Sequence, residues 1–162
     1  MAHTILVEGP LPAEILEMLG SDYQVHIWSE VPESEWANAV GLLTYGHPQV
    51  DGAFMDRVPG IKVISNFGVG VDHIDLDAAK KRGLPVGNTP QLLDGATADM
   101  TFGLILATAR LMIVGDRYAR SAEFTHFDPS YMLGTEVHST VMGIIGLGNI
   151  GRRVARLLKP FD

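Results

Sequence analysis

The sequence contains no cysteine. Without a thiol the protein can form no disulfide framework, no thiolate metal site and no cysteine nucleophile. Basic residues are also scarce, because 12 lysines and arginines stand against 19 aspartates and glutamates, for a net charge of -7. No stretch concentrates the positive charges, so the electrostatic footprint of a nucleic-acid-binding protein is missing. Any anion that binds to this acidic protein must be held by local groups such as backbone amides.

Long apolar runs and targeting signals are missing as well. The longest helical pattern, residues 96–121, is interrupted by Asp99, Arg110 and Asp116 before it reaches about 18 apolar residues, so no membrane span is expected. The N-terminus has no basic segment followed by an apolar one, and a cytoplasmic location is the default expectation. The His, Asp and Glu residues do not have the spacing of a metal site, so we expect no metal.

The apolar segments that are present are short, nearly continuous and separated by helical patterns, which is typical of parallel strands buried on both faces. The 162 residues predict strands at 3–8, 23–28, 40–44, 61–66 and 84–87. A helix is predicted at residues 13–19, with Pro12 at its start and Gly20 past its end. Another is predicted at 76–82, with Asp75 as its cap and Gly83 as its stop. This alternation predicts an α/β fold with a flavodoxin-like, doubly wound parallel sheet.

One long helix is predicted at residues 96–121, with apolar side chains on most of its faces. Such a helix is expected to be buried on several sides, in a core or between domains. Residues 122–139 lack any period and are predicted to be a connecting loop.

Residues 140–162 contain the motif that indicates a ligand-binding function. An apolar segment, predicted to be a strand, leads into Gly146-x-Gly148-x-x-Gly151 and then a helix, which is the context of a dinucleotide-binding turn. Gly146 would allow the tight turn, Gly148 would let the backbone approach a pyrophosphate, and Gly151 would let the helix pack against the strand. The helix N-terminus would present its amides to the phosphates. The alternative is an ordinary glycine-rich turn between strand and helix.

Four segments, at residues 64–75, 81–90, 96–110 and 143–151, together resemble the D-isomer-specific 2-hydroxyacid dehydrogenases, and within them the glyoxylate and hydroxypyruvate reductases. The resemblance implies that residues 1–94 are the N-terminal portion of a substrate domain. Residues 95–162 would begin an NAD(P)-binding Rossmann domain, and the long helix would help to form a homodimer.

The resemblance also implies which residues bind the substrate. The amides of Gly68, Val69 and Gly70 would hold the carboxylate of a small 2-oxo acid, and successive amides in a turn can bind an anion without net positive charge. Tyr45 and Gly46 match the loop after the third strand that borders the substrate. The alternative for residues 68–70 is a tight turn without a ligand, and for the neighbouring His47 an exposed loop histidine is the commoner case.

For the cofactor, NAD or NADP, the resemblance places Thr97 near the nicotinamide. It also implies a set of residues around the pyrophosphate: Gly146, Leu147, Gly148, Asn149, Ile150 and Gly151. The implied activity is the NAD(P)H-dependent reduction of a small 2-oxo acid such as glyoxylate or hydroxypyruvate.

Some positions depart from the family pattern. His73 stands where Asn is frequent, Asp99 where Glu is frequent, and Ser139-Thr140 where Gly-Lys is common. No residue of the chain matches the family's catalytic arginine, glutamate or acid–base histidine, so no catalytic residue is assigned and the chain alone is expected to be inactive. The alternative function is a non-catalytic binding or dimerisation module, or a nucleotide-sensing regulator of the same fold.

Overall fold

Five parallel strands form one sheet in the computed structural model, which describes residues 2–161. They are β1 (His3–Val7), β2 (Tyr23–Ile27), β3 (Ala39–Thr44), β4 (Val63–Asn66) and β5 (Val86–Gly87). Their spatial order is β2-β1-β3-β4-β5, and every neighbouring pair is parallel. This is the flavodoxin-like order of a doubly wound sheet, so the predicted fold class is confirmed.

The chain divides into two compact units between Pro90 and Gln91. We refer to them as the N-terminal unit and the C-terminal unit. The sheet belongs to the N-terminal unit, and its core is built on the central strands, where Leu6, Leu42 and Ile64 are fully buried. The assignment of the two units as substrate domain and nucleotide-binding domain stays a prediction.

Capping explains where the helices of the N-terminal unit begin. They are α1 (Ala13–Leu19), α2 (Gly52–Asp56) and α3 (Leu76–Lys81), with a 3₁₀ helix at Glu33–Asn38. The Ala78 amide donates to the Asp75 carboxylate at 2.8 Å, as predicted, and Asp51 caps α2 in the same way. Gly20 and Gly83 both have φ of 69°, a left-handed conformation that favours glycine after a helix. The sequence did not predict α2 or the 3₁₀ helix, because neither is long enough to show a helical period.

The C-terminal unit contains α4 (Asp94–Ala109), α5 (Met112–Ala119) and α6 (Asn149–Leu158). The predicted single helix over residues 96–121 is therefore wrong. Leu111 adopts a left-handed conformation with φ of 53°, and α4 and α5 meet at 59°. The break results from a contact with a distant part of the chain, because the Thr135 amide donates to the Ala109 carbonyl at 2.7 Å. In a continuous helix that carbonyl would instead accept the amide four residues further along.

The prediction that this helix is buried on several sides is also wrong for the described residues. Ala98 is the one buried residue of α4, and none is buried in α5. No single helix among the described residues has the length and apolar content of a membrane span; α4 and α5 meet that test only if they are counted together as one broken span.

The predicted strand before Gly146 is wrong too. Residues 141–145 belong to no strand, and the side chains of Val141 and Ile145 are fully exposed. The apolar pattern favours a strand, but a strand also requires a neighbour for its backbone hydrogen bonds. No segment of the C-terminal unit between residues 91 and 161 pairs with this one.

Candidate substrate and cofactor sites

The strand order places a topological switch point between β1 and β3, at their carboxyl ends. The chain leaves β1 toward β2 on one side, and it leaves β3 toward β4 on the other. Ligands of doubly wound sheets bind at such a switch point, outside the carboxyl ends of the strands. Glu8 follows β1 at this edge, Thr44 ends β3, and residues 45–47 follow β3. The sequence-predicted loop with Tyr45 and Gly46 therefore lies at the switch point.

The Glu8 carboxylate organises this loop. It accepts hydrogen bonds from the Thr44 hydroxyl at 2.7 Å and from the amides of Tyr45, Gly46 and His47 at 2.5, 3.2 and 3.3 Å. It also contacts Nδ1 of His47. Burial of Glu8 would by itself raise the pKa of its carboxyl, but the hydrogen bonds from the loop together outweigh it and lower the pKa to about 2. Glu8 is thus an anion across the physiological range.

Tyr45 bridges two loops. Its hydroxyl lies 3.0 Å from the Gly9 carbonyl and 2.8 Å from the Pro10 carbonyl, and its ring packs edge-on against Phe67 with centroids 6.0 Å apart. Burial, followed by the nearby Glu8 charge, raises the pKa of Tyr45, so the hydroxyl remains a donor. Gly46 has φ of 113°, which requires glycine, and a Cβ there would lie 3.5 Å from the His73 ring.

The turn at residues 68–70 follows β4, the next strand along the sheet. All three of its carbonyls are engaged: Asn66 Nδ2 donates to Gly68 at 3.0 Å and to Gly70 at 2.7 Å, and Asn88 Nδ2 donates to Val69 at 2.8 Å. The three amides of the turn, in contrast, have no acceptor within residues 2–161. Fixed carbonyls and free amides leave the turn suited to an anion.

The glycines of this turn are favoured by close side-chain neighbours. Neither Gly68 nor Gly70 has the left-handed φ of an alternating-handed amide nest. A Cβ would instead lie 3.3 Å from Asn66 Nδ2 at Gly68, and 3.3 Å from Asp72 Oδ2 at Gly70. Close approach of these side chains, rather than φ, is what favours glycine at both positions.

Buried polar side chains lie near the loops after β3 and β4. Thr44, Asn66 and His73 are the buried polar side chains of the described residues, and all three lie at this end of the sheet. The atoms Oδ1 of Asn66 and Nε2 of His73 are buried without a hydrogen-bond partner. Unpaired buried polar atoms are costly and require an explanation. A third such atom, Nε1 of Trp36, lies in the 3₁₀ helix before β3, so the two atoms mark this edge only together with the free amides of the turn.

In the C-terminal unit, the three motif glycines have distinct roles. Gly146 has φ of 91°, which the tight turn requires. A Cβ on Gly151 would overlap the Gly146 carbonyl oxygen, whereas a Cβ on Gly148 would meet nothing within 4 Å. The turn around Leu147 and the start of α6, where residues Asn149 and Ile150 are exposed, therefore fit a pyrophosphate.

Thr97 lies on the exposed surface of α4, the helix that packs against α6. Its carbonyl accepts the Thr101 hydroxyl at 2.7 Å. Beside the start of α6, a cavity of about 420 Å³ is lined by Gln91, Asp94, Asn149, Arg152, Arg153 and Arg156. Arg152 donates to the Asn149 side chain at 3.2 Å, and both residues line this cavity.

Sequence reasoning assigned no role to Glu8, Asn66 or Asn88. A signal was available for two of them, because Asn66 ends an apolar strand and Glu8 directly follows another. Polar residues at the carboxyl ends of parallel strands face the ligand crevice. The partners of Glu8 and Asn88 could not be predicted, because they are 19 to 39 residues away along the chain. Those of Asn66 lie only two and four residues further on.

The family described as D-isomer specific 2-hydroxyacid dehydrogenase, catalytic domain, matches residues 5–153. The chain belongs to this family. A similar curated relative is a glyoxylate reductase from Pyrococcus horikoshii, which is 35% identical over 173 residues, covering 100% of this chain and 52% of the relative.

Two solved structures are similar as well. A D-lactate dehydrogenase from Aquifex aeolicus, complexed with NAD and lactic acid, has a TM-score of 0.80 at 29% identity over 98% of this chain and 49% of its own. An NADPH-dependent glyoxylate/hydroxypyruvate reductase from Sinorhizobium meliloti, in complex with NADP and malonate, has a TM-score of 0.80 at 30% identity, covering 99% of this chain and 51% of its own. The chain thus spans about half the length of these proteins, and these solved relatives bind NAD or NADP.

Proposed function

We propose that this chain provides the substrate-carboxylate turn and the pyrophosphate turn of an NAD(P)H-dependent 2-hydroxyacid dehydrogenase acting on a small 2-oxo acid such as glyoxylate or hydroxypyruvate. The proposal rests on the three motif glycines. Gly146 forms the tight turn, Gly151 lets α6 approach that turn, and the space beside Gly148 is open where a pyrophosphate must approach. When bound, a nicotinamide cofactor supplies the hydride that reduces the keto carbon. Family membership and the NAD and NADP complexes of similar structures support this reading.

The roles of the chain's own residues are binding and orientation. The free amides of residues 68–70 hold the carboxylate, and Asn66 and Asn88 keep these amides in place by fixing the turn's carbonyls. The start of α6 holds the pyrophosphate. Proton transfer requires an acid–base residue that the family resemblance does not place among these 162 residues, so the chain alone is expected to bind without turnover.

The Gly148→Val substitution tests the cofactor assignment. We expect it to weaken NADH binding at least about tenfold without lowering the melting temperature, because the side chain fills the space of the pyrophosphate and its Cβ has no protein atom within 4 Å. The readout is an NMR titration of the ¹⁵N-labelled chain with NADH, following the amides of the turn.

Two matched variants control this test. Gly103→Val places the same side chain in open space on α4 and should leave NADH binding unchanged. Gly70→Val should weaken 2-oxo acid binding but not NADH binding. Equal damage to both ligands from the Gly148 and Gly70 variants would show that the two turns are wrongly assigned.

We also propose that the chain forms a homodimer through α4 and α5. Five large apolar side chains on these helices are more than half exposed: Met100, Leu104, Met112, Ile113 and Val114. Exposed apolar patches of this kind mark interfaces. Two equivalent copies can cover them with one symmetric contact.

Leu104→Glu is therefore expected to shift the chain from dimer to monomer, because it places a charge in the centre of the apolar contact. Sedimentation equilibrium measures the mass at several concentrations. Met18→Glu is the control, since Met18 is 86% exposed on α1 and lies outside the proposed contact. A wild-type mass of 17.5 kDa at every concentration would contradict the proposal.

A further inference from the structure

Three arginines lie on one face of α6. Arg152, Arg153 and Arg156 follow Asn149 at distances of three, four and seven residues, which is the spacing of a single helical stripe. All three are exposed, and all three line the cavity of about 420 Å³ beside the start of α6. We refer to this cavity as the arginine cleft. It lies wholly within the C-terminal unit.

The positive charge of the arginine cleft is not neutralised by the protein. Among residues 2–161, no carboxylate forms an ion pair with any of the three guanidinium groups. Asp94 also lines the cleft, so three positive charges are gathered there with one negative charge. In a chain with a net charge of -7, such a local excess of positive charge favours the binding of an anion.

The starts of two helices add to this charge. Asp94 is the first residue of α4 and Asn149 is the first residue of α6, and both line the arginine cleft. Within the described part of the chain, neither helix start is capped by a side chain, so the positive ends of both helix dipoles lie at the cleft. Arg153 approaches the first turn of α4, because a Cβ on Gly95 would lie 4.0 Å from its Nη1.

The arginine cleft differs from the pyrophosphate turn. Of residues 146–151, only Asn149 lines the cleft, and none of the three motif glycines does. Arg156 lies seven residues beyond Asn149, which is about 10 Å along the axis of a helix. A pyrophosphate at the turn therefore does not fill the cleft, and the two sites can be tested separately.

We propose that the arginine cleft binds phosphate, either as the free ion or as the phosphate group of a small metabolite, at a site separate from the cofactor. The planar fork of a guanidinium group donates two parallel hydrogen bonds to phosphate oxygens, so clustered arginines suit this anion. The excess of three arginines over one carboxylate matches the charge of a phosphate dianion. The inference does not depend on the proposed function, since it requires neither the carboxylate turn nor a bound cofactor.

An NMR titration of the ¹⁵N-labelled full chain with inorganic phosphate tests this proposal, with sodium chloride at equal ionic strength as the reference. We expect phosphate to produce saturable shifts at the amides of residues 94–96 and 149–156, whereas screening by chloride does not saturate. Arg156→Gln should weaken phosphate binding at least about fivefold, the effect of losing one charge-assisted hydrogen bond. Arg117→Gln, which removes an exposed arginine of α5, should leave phosphate binding unchanged.

Two comparisons separate the cleft from the cofactor site. Gly148→Val obstructs the turn and should retain phosphate binding. Loss of phosphate binding in Gly148→Val but not in Arg156→Gln would place the phosphate at the turn, so the proposal would be wrong while the cofactor assignment stands. If Arg156→Gln weakens the binding of NADPH but not of NADH or free phosphate, the cleft holds the cofactor's own phosphate, and the proposal is equally wrong.

A titration with glycerol 3-phosphate identifies the source of the phosphate. Tighter binding than that of inorganic phosphate, with the same loss in Arg156→Gln, would show that the ligand is a phosphorylated metabolite. Equal or weaker binding would show that it is the free ion. If neither compound produces saturable shifts in the wild type, the arginine cleft is not a phosphate site.

Discussion

Gly151→Ala is expected to destabilise the C-terminal unit by about 3 kcal/mol and to abolish NADH binding. Helix propensity alone would favour alanine at this position of α6 by about 1 kcal/mol. The overlap of the new Cβ with the Gly146 carbonyl oxygen decides the sign, because the Cβ is fixed to the helix backbone and the carbonyl is itself backbone, so neither can move aside as a flexible side chain would. The start of α6 must then separate from the turn, and the pyrophosphate site is lost with it.

The measurement is urea unfolding followed by NMR at the amides of α6. Trp28 and Trp36, the two tryptophans of the chain, lie in the N-terminal unit, so their fluorescence is an internal control that should not change. Gly148→Ala is the matched variant, since its Cβ meets nothing within 4 Å and stability should be retained. Equal stability of the Gly151 and Gly148 variants would contradict the packing argument.

Acidification is expected to destabilise the N-terminal unit through Glu8. The folded protein lowers the pKa of Glu8 from its ordinary value of 4.5 to about 2, so this carboxylate stabilises the fold above about pH 4.5. That contribution, up to about 3 kcal/mol, is lost as the pH falls from about 4.5 to 2. The donors at Thr44 and the amides of residues 45–47 lose their anionic acceptor when Glu8 is protonated.

Denaturant unfolding at a series of pH values, followed by tryptophan fluorescence, measures this effect. Glu8→Gln should lower the free energy of unfolding at neutral pH and flatten its dependence below pH 4.5. Glu17→Gln, at an exposed position of α1, should retain the wild-type profile. A Glu8→Gln profile as steep as that of the wild type would show that another group is responsible.

The sequence by itself determined the parallel sheet and the placement of the two glycine turns. Near-continuous apolar segments such as residues 3–8 predict strands that are buried on both faces. A strand with one exposed face would instead alternate apolar and polar residues. Asp75 predicts the start of α3, since its side chain satisfies an amide three residues away. The role of Gly146 in the tight turn also follows from spacing alone, because turn and helix are contiguous in the chain. Gly151, predicted to let the helix pack against a strand, instead lets α6 approach the Gly146 carbonyl.

Only the tertiary structure decided the features that depend on distant partners. The break at Leu111 depends on Thr135 reaching the Ala109 carbonyl, and the apolar residues 141–145 form no strand because no neighbour pairs with them. The Glu8 network joins the end of β1 to a loop 36 to 39 residues later. Local propensity acts over a few residues, whereas these hydrogen bonds form only once the sheet has brought β1 beside β3, so no local pattern could predict them.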